Sequence, residues 1–140
     1  MKDPFNFLDY NFDLLDDGRR FEGSMPNLAG CAGLHAALQV AAGFGQENLA
    51  AKIRQHSDEL IALFERHGFQ NNSPRGEEEW SGIVSFTHPE ISVEEVFQRL
   101  MQNGVIALVR DGRLRVSPHA YHCPEELQRV ALALDLIANR

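Results

Sequence analysis

A chain of 140 residues, 44% hydrophobic and 24% charged, has the length and apolar content to bury one core. Its net charge of −7, with 13 lysines and arginines scattered and in no run, excludes the basic patch that nucleic-acid binding needs. Two cysteines make no disulfide framework, no apolar stretch reaches the roughly 20 residues of a membrane span, and no basic segment leads into an apolar run at the N-terminus. A soluble, cytoplasmic protein is the expectation.

Residues 1–26 are aromatic and acidic, with little periodicity. Phe5, Phe7, Leu8, Tyr10, Phe12, Leu14 and Leu15 stand among Asp and Asn. Such a segment either wraps its own domain or docks on another domain or subunit. Pro26 and the good N-cap Asn27 predict a helix from Leu28 to about Ala42. Ala29, Gly30, Ala32, Gly33, Ala36 and Ala37 make it a small-residue helix that lets another backbone approach closely, with Cys31 read as a buried packing residue. Gly43 and Gly45 end it. Leu49, Ile53, Leu60 and Phe64 recur near a period of 3.6 and predict a second helix from about Gln46 to His67, stopped by Gly68.

Residues 70–81 are polar and acidic, with Pro74 and Gly76, and read as an exposed loop. Gly82 to Thr87 reads as a strand. Ser92 with Glu95 forms a capping box, and Val93, Val96, Phe97, Leu100 and Met101 supply the apolar face of a helix that Gly104 stops. Val105 to Val109 is a short apolar strand. Asp111-Gly112 between two β-like runs is a hairpin signal, and alternation sends Leu114 and Val116 to the core and Arg113 and Arg115 to the opposite face. Pro124 suits a first helical position, with Glu125 and Glu126 at the positive helix end. Leu127, Val130, Ala131 and Leu134 then face the core. The order predicts an α+β domain with a small, mainly antiparallel sheet covered on one face by helices.

Two segments carry a resemblance. One is Arg20-Phe21-Glu22-Gly23-Ser24-Met25-Pro26-Asn27 before the small-residue helix. The other is Gly112-Arg113-Leu114-Arg115-Val116-Ser117-Pro118-His119-Ala120-Tyr121-His122 before the last helix. In this order and at this separation they resemble the C-terminal third of class V aminotransferases, the family of cysteine desulfurases, selenocysteine lyases and kynureninases. The resemblance implies a pyridoxal phosphate (PLP) enzyme of fold type I acting on an amino acid. Residues 1–26 would be the tail of its large domain and 27–140 its C-terminal small domain. It also implies that Arg115, in Arg115-Val116-Ser117, binds the substrate α-carboxylate, for which a planar guanidinium is the matching group. A Gly-Thr or Gly-Ser pair of the family reaches the PLP phosphate of the neighbouring subunit. Here Ser24 stands at the glycine position and Met25 at the hydroxyl position, while Asn27 matches. Ser24 and Asn27 are thus the candidate cofactor contacts, against a plain helix cap and turn.

Other expected chemistry is missing. Lys2 and Lys52 are the only lysines, and neither sits in a motif for the Schiff base, so no catalytic residue is assigned and the chain alone is expected to be inactive. Residues 105–112 hold no cysteine where a desulfurase carries its nucleophile, and Cys123 lies beyond Arg115. His119, His122 and Cys123 offer three zinc-type ligands without a fourth, a minor alternative. The chain is therefore read as part of a PLP enzyme that needs a separate large domain and self-associates. The alternative is a stand-alone, non-catalytic interaction module of the same fold.

Overall fold

In the computed structural model, which describes residues 8, 10, 13–22 and 25–138, the chain forms two units, Met1–Gly43 and Phe44–Arg140. The first unit holds a short 3₁₀ turn, Gly18–Phe21, capped by Asp17, which accepts the Arg19 backbone N–H at 3.0 Å. The Arg19 guanidinium, 2.7 Å away, holds the Asp17 carboxyl below its ordinary pKa. Helix α1 (Leu28–Phe44) follows. Asn27 caps it as expected: its Oδ1 accepts the Gly30 N–H at 2.9 Å, and its carbonyl accepts that of Cys31. No residue of α1 is buried, so Cys31 is exposed and not the packing residue its small neighbours predicted. Small residues state how closely a surface can approach, not that one does. Phe5, Phe7 and Phe12 lie outside the described residues, and Leu8 and Tyr10 are exposed.

The second unit begins with α2 (Gln46–Arg66). Gly68, at φ 84°, closes it: the Gly68 N–H donates to Glu65 O and the Phe69 N–H to Phe64 O, a reversal that favours a residue without Cβ. Then come β1 (Gln70–Asn71), β2 (Val84–Thr87), α3 (Val93–Gln102), β3 (Leu108–Arg110), β4 (Arg113–Val116) and α4 (Pro124–Ala138). The four strands form one sheet in the order β1-β2-β4-β3, every neighbouring pair antiparallel. Helix α2 packs on β1 and β2, α3 on β3 and β4, and α4 on α2 and α3. The α+β architecture is the one the sequence predicts.

The alternation also holds. Val84, Phe86, Leu114 and Val116 point into the core, while Ser85, Thr87, Arg113 and Arg115 take the other face. Phe64 of α2, with no exposed surface, stacks on Phe86 at 4.3 Å between centroids and meets Phe69 edge-on at 5.1 Å. Val96 and Leu100 of α3 and Leu134 of α4 close the core.

Three boundaries differ from expectation. Gln70 and Asn71 pair with Thr87 and Phe86, so the segment read as loop opens with a strand. The Ile83 N–H is held by Ser81 Oγ at 3.0 Å and not by a neighbouring strand, so β2 starts at Val84. The Val105 N–H is used by Leu100 O to close α3, so β3 begins only at Leu108.

At the start of α4, the Cys123 N–H donates to Glu126 Oε2 at 2.8 Å. This bond holds the Glu126 carboxyl below its ordinary 4.5, and a bond from the Cys123 side chain does the same for Glu125. Both native values are depressed, so this cap is complete above pH 4.5 and is lost as pH falls through the native values. Carbon-detected NMR should give a Glu126 midpoint below 4.5, with the Cys123 amide shift following the same curve. A midpoint at or above 4.5 refutes the cap.

Candidate active site

Arg115 lies on β4, a strand paired on one side with β2 and on the other with β3. Its register partners are Ser85 on β2 and Leu108 on β3, and side chains at directly opposed positions share a face. It is half-buried on the sheet face away from the core. The β3–β4 turn aims this face: Asp111 and Gly112 both have positive φ, 52° and 68°, as a two-residue hairpin turn requires. That turn pairs Arg110 with Arg113 across the two strands.

An open cleft lies over this face, lined by Arg110, Arg113 and Arg115 from the hairpin, Ser85 from β2, and Glu79 and Trp80 from the segment before β2. Arg113 is exposed, as its alternation with Leu114 implies. Arg110 has only a loose contact with Asp111, 3.9 Å between two exposed side chains. Among the described residues no carboxylate forms an ion pair with Arg115. Its five donors are therefore available to a ligand with two oxygens, such as a carboxylate.

Sequence reasoning did not bring Arg110 or Trp80 to this cleft. Arg110 was legible in principle, because a two-residue turn at Asp111-Gly112 places it opposite Arg113. Trp80 was not. The 70–81 segment is strapped to α2 by contacts remote in sequence. Arg54 and Arg75 place their guanidinium carbons 5.2 and 5.8 Å from the Trp80 ring centroid. Arg54 donates to Glu77 O at 3.2 Å, and Arg75 donates to Ser81 O at 3.0 Å and pairs with Asp58.

Ser24 lies outside the described residues. Asn27 is in the first unit, its side-chain oxygen used in the α1 cap. His119 and Tyr121 stack at 4.5 Å, and the His119 N–H donates to His122 Nδ1 at 2.8 Å. Among the described residues no three His, Cys, Asp or Glu groups gather to hold a metal ion.

The family model described as aminotransferase class-V matches residues 7–133. The chain belongs to the class V aminotransferase family. Among solved structures, the chain is similar to the apo structure of a cysteine desulfurase from Thermococcus onnurineus NA1, at 19% identity and a TM-score of 0.78 over 90% of this chain and 35% of that one. It is also similar to a NifS-like protein, at 18% identity and a TM-score of 0.72 over 86% of this chain and 36% of that one. At these identities the likeness is one of fold. The chain thus spans about a third of the length of each. No curated protein sequence matches it.

The class V family depends on PLP, which such enzymes hold as a Schiff base on a lysine. Among the described residues none fits that demand. Lys52 is exposed in the middle of α2, its Nζ donating to Gln55 Oε1 at 3.1 Å, and Lys2 lies outside the described residues. No chemical step is assigned to this chain. Among the described residues no single helix is long and apolar enough to cross a membrane.

Proposed function

We propose that this chain is the C-terminal part of a PLP-dependent class V enzyme acting on an amino acid, in which Arg115 binds the substrate α-carboxylate. The observation that carries this reading is Arg115 itself, a half-buried guanidinium on a sheet face, open to a cleft and without an internal carboxylate. A separate lysine-bearing large domain would supply the cofactor and the choice between transfer and lyase chemistry. Residues 1–26 would be the tail of that domain, and Ser24 and Asn27 would face the cofactor phosphate. The absence of cysteine from residues 105–112 argues against a desulfurase. The assembly would be a cytoplasmic homo-oligomer, with α1 docking on another domain or subunit.

A second reading, a stand-alone interaction module, draws on α1. It leaves Leu28, Leu34, Leu38, Val40 and Phe44 between 59% and 70% exposed, an apolar surface of the kind that meets a partner. The mass of the native polypeptide in its source cells separates the two. A band roughly three times this size, as 35% coverage of the cysteine desulfurase implies, supports a domain of a longer enzyme. A band at 15.7 kDa favours a split subunit or the module, and a neighbouring lysine-bearing reading frame then decides between those.

A further inference from the structure

We propose that Trp80 is the specificity-determining wall of the Arg115 cleft, and that it selects amino acids with an aromatic side chain. This rests on the reading of Arg115 as the carboxylate anchor. The charges in the cleft do not choose the substrate side chain. Arg110, Arg113 and Arg115 are balanced there by Glu78, Glu79 and Asp111, so neither a second acidic nor a second basic group on the ligand is favoured by net charge. Trp80 is the one aromatic group lining the cleft, and residues 73–81 around it are otherwise Ser, Pro, Gly, Arg and Glu.

Its ring is held before any ligand arrives. The Arg54 and Arg75 guanidinium groups lie against it, and the two arginines are fastened in turn to the carbonyls of Glu77 and Ser81 and to Asp58. A loop tryptophan ordered only on binding would forfeit much of its stacking energy to lost rotamer freedom. Trp80 is ordered by folding itself. An amino acid anchored at Arg115 has its carboxylate in the cleft that Trp80 also lines, and an aromatic side chain directed to the indole would gain both buried apolar area and offset stacking. A methyl group in the same place gains little.

The chain contains a single tryptophan, so the Trp80 indole N–H is the sole indole signal in a ¹⁵N-labelled sample. Titration of this chain with L-phenylalanine and L-alanine should move that signal, with phenylalanine binding about tenfold more tightly. In Trp80→Leu, followed through backbone amides near Arg115, phenylalanine should fall to the affinity of alanine, whose own binding should change less than twofold. Arg115→Gln should weaken both ligands alike. Equal affinities in the unmutated chain, an indole signal that neither ligand moves, or a preference retained in Trp80→Leu overturns the proposal. The first two comparisons need no variant, so a Trp80→Leu chain that fails to fold leaves the proposal falsifiable. If Arg115→Gln changes neither affinity while the phenylalanine preference stands, the carboxylate assignment fails and the Trp80 assignment survives.

Discussion

Phe64→Ala should lower the unfolding free energy of this chain by about 3–5 kcal/mol, the range for deleting a buried aromatic ring. Phe64 is fully buried, stacks parallel on Phe86 at an interplanar angle of 8°, and meets Phe69 edge-on. Its loss leaves a void between α2 and the sheet that two rings fixed by other contacts cannot fill. Because a domain of this size is stable by only about 5–15 kcal/mol, the variant should sit near the edge of folding. Urea denaturation followed by circular dichroism should show a lower midpoint with an unchanged slope. Phe64→Leu keeps more of the volume and should cost clearly less. A midpoint barely moved in Phe64→Ala would show that the stacked pair is not the centre of this core.

The second large effect concerns function. On the proposed function, in an enzyme reconstituted with a lysine-bearing domain, Arg115→Ala should reduce kcat/KM for an amino-acid substrate by about 2–5 kcal/mol in transition-state terms, a factor of thirty or more. The loss should be largely specific to the carboxylate, because Arg115 lies on the open face and is joined to no carboxylate within the described residues. Denaturation midpoints of the isolated chain should therefore stay close to the unmutated value. Arg115→Lys keeps the charge but loses the planar fork and should recover only part of the activity. Retained substrate affinity in Arg115→Ala would remove this residue from the site, whereas unaltered partner binding together with lost turnover would support it.

Much of the fold was legible because its signals are local. A cap is read within one turn, as at Asn27, Ser92 and Pro124, and each of the helices they start begins where the sequence places it. Asp111-Gly112 demanded positive φ at two successive residues, which left the hairpin little choice. Alternation in β4 then sent Arg115 to the face opposite Leu114. The Ile83 and Val105 boundaries were set by local hydrogen bonds, and the other errors fall where a segment depends on something distant. Gln70 and Asn71 are a strand only because Thr87 and Phe86 offer them partners. Cys31 was read as buried from the size of its neighbours, which says nothing about what covers them.

The candidate site divides in the same way. The sequence by itself determined the family resemblance, the α+β order of elements and the side of the sheet that Arg115 takes. Each of these is a matter of residue identity, local backbone preference or a period of two. Only the tertiary structure decided that Trp80 shares a cleft with Arg115, and that the 70–81 segment is strapped down and not free. Those facts rest on Arg54 meeting Glu77 and Asp58 meeting Arg75, each across 17 or more positions of chain. Such meetings are set by how α2 lies on the sheet, and no spacing within the segment itself encodes them.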